Sequence, residues 1–126
     1  MEFKGKVALV TGAGTGNGEA IAARLHAGGA CVALVSRRLE QVESVSRSID
    51  PEGARTVALE ADVRDPKAME GAVRRTLERF GKLDLAVNNA GITGPAGVPV
   101  QDLEAEIWRE VIETDLTGIF YSMKYE

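Results

Sequence analysis

Short aliphatic segments alternate with longer amphipathic segments along this chain. Four of the short segments, residues 7–10, 31–35, 56–60 and 83–87, are rich in Val, Leu and Ala. Runs of this length are typical of strands rather than helices, and their uniform apolar character is typical of parallel strands covered on both faces. We therefore predict four strands.

Helical periodicity fills the segments between the predicted strands. Apolar residues recur every three to four positions over about 15–27, 39–49 and 66–80, which predicts three helices. Gly28-Gly29 is expected to end the first helix in a left-handed cap. Asp65 is expected to cap the third helix ahead of a proline in its first turn.

A longer segment closes the sequence. After an irregular loop over about 88–100, the pattern predicts one last helix from about Asp102 to the end, in which Gly118 is a weak point. Its predicted apolar face consists of Leu103, Ile107, Val111, Leu116, Ile119, Phe120 and Met123. We leave open whether this face packs on its own sheet or on a partner subunit.

The alternation of strands and helices predicts an α/β fold. We expect a Rossmann-type, doubly wound parallel sheet of about four strands in the order 3-2-1-4, with helices on both faces. The 126 residues suit one domain, residues 1–126. In this order strand four lies at an edge with only Asp84 to protect it, so we expect further chain or a second copy to cover it.

A glycine-rich segment follows the first strand directly. It reads Thr11-Gly12-Ala13-Gly14-Thr15-Gly16-Asn17-Gly18 and precedes a predicted helix. Glycines permit a sharp turn and a close approach to a pyrophosphate, while the N–H groups and dipole of the following helix attract the anion. The pattern therefore predicts a dinucleotide site formed by Gly12, Gly14, Thr15, Gly16, Asn17 and Gly18. The alternative is a flexible turn that binds nothing.

Composition and charge narrow the range of partners. The chain is 44% hydrophobic and 27% charged, with a formal charge of −4, which argues against nucleic acid or an acidic membrane surface as a partner. No apolar run approaches the roughly 20 residues of a membrane span, and no signal-peptide core opens the chain, so we expect a cytoplasmic protein. The single cysteine, Cys31, is expected to be a small buried residue. No metal site is predicted.

Three motifs, each at the end of a predicted strand, resemble those of the N-terminal half of the short-chain dehydrogenase/reductase family. They are the Thr-Gly-x-x-x-Gly-x-Gly turn at 11–18, Asp62-Val63 after strand three, and Asn88-Asn89-Ala90-Gly91 after strand four. The resemblance covers essentially the whole chain. It implies that Asp62 accepts the adenine amino group, that Val63 packs near that ring, and that Asn89, Ala90 and Gly91 line the ribose.

The end of strand two bears on cofactor choice. An acidic side chain usually binds the ribose hydroxyls of NAD at this place, whereas this chain has Ser36 followed by Arg37 and Arg38. Guanidinium groups suit a 2′-phosphate, so we predict a preference for NADP(H), with NAD(H) as a possible ligand. The alternative is that the two arginines only solvate the start of a helix.

The sequence also departs from the family pattern. Asn17 stands where the family usually has an aliphatic residue, and Asp115 stands where it has a catalytic Asn. An ionised Asp only accepts hydrogen bonds, so Asp115 is either an altered catalytic residue or a plain helix carboxylate. The family's catalytic Ser, Tyr and Lys have no counterparts, because Tyr121 and Lys124 are three residues apart and lie in the predicted last helix.

The resemblance implies an oxidoreductase. We expect the cofactor-binding half of an NADP(H)-preferring enzyme that interconverts a small alcohol and a carbonyl by hydride transfer, inactive as this chain alone. A homo-oligomer, either a dimer or a tetramer, is also implied. The alternative is a non-catalytic dinucleotide-binding or dimerisation module.

Overall fold

The strands form one parallel sheet. A computed structural model describes all of residues 1–126. The sheet has the order β3-β2-β1-β4, in which the strands are β1 (Val7–Thr11), β2 (Cys31–Ser36), β3 (Thr56–Glu60) and β4 (Leu85–Asn88). Both the predicted fold class and the predicted strand order are confirmed.

Helices connect the strands and follow the last of them. They are α1 (Gly16–Ala27), α2 (Leu39–Ile49), α3 (Pro66–Phe80), α4 (Ala105–Ile112) and α5 (Gly118–Tyr125). A short 3₁₀ helix, Val100–Asp102, precedes α4, and a π-helical turn, Glu113–Thr117, joins α4 to α5. None of the helices is long and apolar enough to cross a membrane.

The ends of α3 show how local sequence sets an element. The Asp65 carboxylate accepts the backbone N–H groups of Lys67 at 3.0 Å and Ala68 at 3.3 Å. These bonds satisfy donors that a helix start leaves unpaired. Gly81 ends the helix with φ of 82°, a left-handed conformation that glycine adopts without strain.

The sheet has an apolar core on each face. On one face, β1 and β2 pack against α1 and α2 through ten buried residues that include Val10, Leu25 and Val42. On the other face, α3 packs through nine buried residues that include Leu9 and Met69. The sheet is therefore doubly wound. Cys31, predicted to be buried, is half-buried because it is the first residue of β2 and lies at the amino-terminal end of that strand.

Strand register brings the carboxyl ends of the strands together. Thr11 at the end of β1 lies opposite Asn88 at the end of β4, and Val35 of β2 lies on its other side. Ser36 at the end of β2 lies opposite Glu60. The segments that follow all four strands consequently emerge at one edge of the sheet, which is where ligands bind in folds of this kind.

Asp84, the one charged residue expected to protect the edge strand β4, has a different role in the structure. This residue precedes β4, and its carboxylate accepts the backbone N–H of Val7 at 2.8 Å and pairs with Lys82 at 3.0 Å. Asp84 therefore links the start of β1 to the segment that leads into β4. β4 pairs only with β1, and its Ala86 is exposed.

The last segment is not the single continuous α-helix that the sequence predicts. The inward-facing residues keep a spacing of three to four through the π-helical turn: Ile107 and Val111 are half-buried, and Thr114, Gly118 and Ser122 are buried. Leu116, Phe120 and Met123 are 55–66% exposed. Gly118, predicted to be a weak point, is buried, and a Cβ there would lie 2.8 Å from Cγ2 of Val63. Only a glycine permits this approach.

A buried polar cluster joins the start of β3 to the end of α1. Nε2 of His26 has no hydrogen-bond partner and lies 3.9 Å from Oδ2 of Asp50. Burial and the positive charge of Arg55 lower the pKa of His26, although Asp50 opposes them. Burial alone raises the pKa of Asp50, but hydrogen bonds from the Arg55 N–H and the Thr56 hydroxyl outweigh it and lower that pKa.

Acidification is expected to destabilise the fold through His26. Because the pKa of His26 in the folded chain lies below the ordinary histidine value of about 6.5, the unfolded chain binds more protons as pH falls below that value, and stability decreases until the folded pKa is passed. Asp50 acts in the same direction at lower pH, where its depressed folded pKa means that stability is lost on protonation. Urea unfolding measured between about pH 7.5 and about pH 5.5 tests the histidine contribution.

The variant His26→Gln is the matched control, because the chain has one histidine. Its free energy of unfolding should change less over that pH range than that of the wild-type chain. Equal pH dependence in the two proteins would contradict the assignment to His26.

Candidate functional site

A cleft of about 450 Å³ lies at the carboxyl ends of the strands. This volume falls within the range of small-molecule sites. The cleft is lined by all of the predicted cofactor residues except Gly18 and Asp62: Gly12, Gly14, Thr15, Gly16, Asn17, Ser36, Arg37, Arg38, Val63, Asn89, Ala90 and Gly91. The structure therefore brings the three motifs together.

The glycine turn, residues 12–18, can form because its glycines have no side chains. Gly12 has φ of 64°, and a Cβ there would lie 2.9 Å from Cα of Ala90. A Cβ on Gly18 would lie only 2.0 Å from the carbonyl oxygen of Gly12. Gly18 is buried beneath the turn, and its role is to let the turn close over the start of α1.

The segment after β4 is hydrogen-bonded to this turn. Nδ2 of Asn89 donates to the carbonyl oxygens of Thr11 at 3.3 Å and Gly12 at 3.2 Å. The N–H of Ala90 donates to the Thr11 hydroxyl at 3.1 Å. The loops that follow the neighbouring strands β1 and β4 are thus hydrogen-bonded to each other, and together they form the floor of the cleft.

The end of β2 supplies the positive charge of the cleft. The Ser36 hydroxyl accepts the backbone N–H of Arg38 at 3.1 Å, and both Arg37 and Arg38 are exposed. Gln41 of α2 covers Gly14, where an added Cβ would lie 2.7 Å from Cβ of Gln41. Gln41 lines the cleft but was not predicted, since a glutamine on a polar helix face carries no distinguishing signal.

Asp62 does not line the cleft, and its carboxylate is bound by Arg64. The Arg64 backbone N–H donates to Oδ1 of Asp62 at 3.0 Å, and Nη2 of Arg64 donates to Oδ2 at 2.7 Å. The hydrogen bond from the Arg64 side chain is the main cause that holds the pKa of Asp62 below its ordinary value. Sequence reasoning missed Arg64, although its spacing of two residues from Asp62 permits this contact.

The π-helical turn forms a further wall. Asp115 is exposed, and its Oδ1 accepts the backbone N–H of Ile92 at 2.8 Å, so it holds the segment after β4. Its neighbour Thr114 is buried and lines the cleft, yet it was not predicted because nothing in the sequence distinguishes it. Tyr121 and Lys124 do not line the cleft.

The electrostatics of the cleft suit an anionic ligand. Its lining contains two cations, Arg37 and Arg38, and no carboxylate. The turn also leads into the N-terminus of α1, whose unpaired N–H groups and helix dipole attract phosphate. A Cβ on Gly12 or Gly18 would fill the space in which the turn closes. The residues present therefore fit a dinucleotide.

Comparison with known proteins gives a consistent result. The family model described as "short chain dehydrogenase" matches residues 6–125. Cyclohexanol dehydrogenase of Acinetobacter sp. (strain SE19) is 40% identical over 125 residues, which cover 99% of this chain and 49% of that protein. These matches confirm the resemblance inferred from the three motifs.

Solved structures extend the likeness to three dimensions. NAD⁺-bound xylitol dehydrogenase superposes with a TM-score of 0.93 at 37% identity, over 99% of this chain and 48% of that one. A 3-ketoacyl-(acyl-carrier-protein) reductase from Brucella melitensis, complexed with NADH, gives 0.91 at 36% identity over 97% and 49%. The chain spans about half the length of the relatives it matches.

Closure of the glycine turn should depend on Gly18. The substitution Gly18→Ala places a methyl group against the Gly12 carbonyl, so the free energy of unfolding is expected to fall by about 1–3 kcal/mol in urea titrations. Gly71→Ala is the control, because a Cβ there meets only Nη2 of Arg74 at 3.7 Å within α3. That variant should gain about 0.5–1 kcal/mol. Similar effects at the two positions would contradict the steric argument.

Proposed function

Because the chain belongs to the short-chain dehydrogenase family, we propose that it forms the cofactor-binding half of an NADP(H)-preferring oxidoreductase that interconverts an alcohol and a carbonyl. Residues 1–126 are then its NAD(P)-binding domain. The observation that carries the proposal is a cleft in which a glycine turn faces two arginines and no carboxylate.

Different groups of this chain bind different parts of the dinucleotide in this proposal. Backbone N–H groups of the glycine turn and the start of α1 hold the pyrophosphate. Val63 packs beside the adenine, and Asn89 to Gly91 line the ribose. Asp62 would accept the adenine amino group only by sharing carboxylate oxygens that already accept from Arg64. The bound nicotinamide supplies the hydride chemistry.

The preference for NADP(H) rests on the end of β2. Ser36 replaces the carboxylate that would repel a 2′-phosphate, and the exposed guanidinium groups of Arg37 and Arg38 border the cleft. NAD(H) is a second ligand in this proposal, since two similar solved structures hold NAD⁺ or NADH.

Catalysis needs groups that these 126 residues do not supply. No Tyr in them is followed four residues later by Lys, so we propose that this chain alone does not turn over substrate. Asp115 contributes to the site by holding the backbone of Ile92. The proposed substrate class is a small alcohol or carbonyl, as the names of relatives such as cyclohexanol dehydrogenase and xylitol dehydrogenase suggest. Assembly as a homo-oligomer and a cytoplasmic location stay predictions.

Replacing both arginines tests the proposal. In the double variant Arg37→Ala, Arg38→Ala, loss of charge-assisted hydrogen bonds to the 2′-phosphate should weaken NADPH binding by about tenfold or more. Binding of NADH should be nearly unchanged. Isothermal titration calorimetry of both ligands on the wild-type and variant chains measures the difference.

A matched control removes charge away from the cleft. Arg47→Ala, on the exposed part of α2 beside Glu43, should leave both affinities unchanged. Equal losses of NADPH and NADH in the double variant would refute the phosphate assignment. Failure of the wild-type chain to bind either dinucleotide would refute the proposed function itself.

A further inference from the structure

Asp62, which lies beside the cleft, is bound by both the backbone and the side chain of Arg64. The backbone N–H of Arg64 donates to Oδ1 of Asp62 at 3.0 Å, which is the ordinary contact of an aspartate that begins a turn. The guanidinium group adds further bonds, from Nε to Oδ1 at 3.1 Å and from Nη2 to Oδ2 at 2.7 Å. These additional bonds form a bidentate pair of arginine with carboxylate.

The pairing of β2 with β3 places Asp62 near the arginines of the cleft. The N–H of Ala61, the residue after β3, donates to the carbonyl oxygen of Ser36 at 3.0 Å, so the two segments stay paired to the end of β2. Arg37 and Asp62 are the next residues on these segments. The hydrogen bond from the Arg64 side chain is the main cause that lowers the pKa of Asp62, and the charge of Arg37 acts in the same direction. Asp62 is therefore within electrostatic range of Arg37.

The two cleft arginines have no carboxylate partner, whereas Arg64 has one. No salt bridge of the chain includes Arg37 or Arg38. Arg64 lies 2.7 Å from Oδ2 of Asp62 and 3.9 Å from Oε1 of the more exposed Glu110, so Asp62 is its main partner. Without Arg64, the Asp62 carboxylate would attract Arg37 and repel a phosphate, because charges at a partly exposed site interact over several ångströms.

We propose that Arg64 is a positioning residue for the 2′-phosphate of NADP(H), because by binding Asp62 it leaves Arg37 and Arg38 free for that phosphate. This inference rests on the proposed function, which places the 2′-phosphate at the end of β2. Arg64 does not line the cleft, so it acts through Asp62 rather than by touching the ligand. The preference for NADP(H) then depends on a charge pair beside the cleft as well as on the residues within it.

A double-mutant cycle at Arg64 and Asp62 tests the inference. The readout is the Kd of NADH divided by the Kd of NADPH, measured by isothermal titration calorimetry on the 126-residue chain. The two ligands differ only in the 2′-phosphate, so an effect on the adenine cancels in this ratio. Arg64→Ala leaves Asp62 unpaired and should lower the ratio by about three- to tenfold. The double variant Asp62→Asn, Arg64→Ala lacks both charges and should regain the wild-type ratio to within about twofold.

Two further variants serve as controls. Arg64→Met removes the charge but keeps the stem of the side chain, and it should give the same result as Arg64→Ala. Arg74→Ala removes an equal charge from α3, outside the cleft, where Nε of Arg74 lies 3.8 Å from Oε1 of Glu78. Its ratio should equal that of the wild-type chain. Urea unfolding verifies that each variant is folded before the titrations.

An unchanged ratio in a folded Arg64→Ala or Arg64→Met variant would overturn the inference. A low ratio that persists in the double variant would also overturn it, since Arg64 would then act on the ligand directly. These outcomes leave the proposed function standing, because the wild-type chain still prefers NADPH. If the wild-type chain binds neither dinucleotide, or binds both equally, the proposed function is refuted in whole or in its cofactor preference, and the inference is refuted with it.

Discussion

The site depends on closure of the chain between β1 and α1 against the segment after β4. Gly18 lies so close to the Gly12 carbonyl that any side chain would separate them, and the Asn89 amide donates a hydrogen bond to the same carbonyl. Both contacts set where α1 begins and where its free N–H groups point. They also join loops from neighbouring strands, so the cleft has a backbone floor before any ligand arrives. An anion site of this kind is built from fixed dipoles and needs few side chains.

Positive charge is free at the cleft, whereas the negative charge beside it is paired. Arg64 takes both oxygens of Asp62, and no carboxylate lines the cleft, while Arg37 and Arg38 remain exposed at its border. The result is a cleft with free positive charge and backbone donors. Charge-assisted hydrogen bonds to phosphate are among the stronger polar contacts, so this arrangement favours a phosphorylated ligand.

Local sequence was enough to predict the strands and the first three helices, because apolar periodicity and the cap at Asp65 act over a few residues. The strand order followed from the connection rules of α/β folds. The structure of the end of the chain was harder to predict. A π-helical turn interrupts the predicted helix, and no pattern in the sequence indicated it. Leu116, Phe120 and Met123 of the predicted apolar face are exposed in the single chain, whereas Thr114, Gly118 and Ser122 face inward. Arg64, Gln41 and Thr114 were missed for a related reason. Their importance arises from contacts across the fold, which residue type and spacing do not reveal.

If the glycine turn holds the phosphates of a dinucleotide on its backbone amides, those amides should exchange hydrogen more slowly when the ligand is bound. The most direct measurement is hydrogen exchange by mass spectrometry, with and without saturating NADPH. We predict the largest slowing in peptides that cover residues 12–18 and 89–92, and in α3, which lies outside the cleft, no more than the slowing that comes from stabilisation of the whole domain. Binding of NADPH without slower exchange at the turn would contradict the site described here.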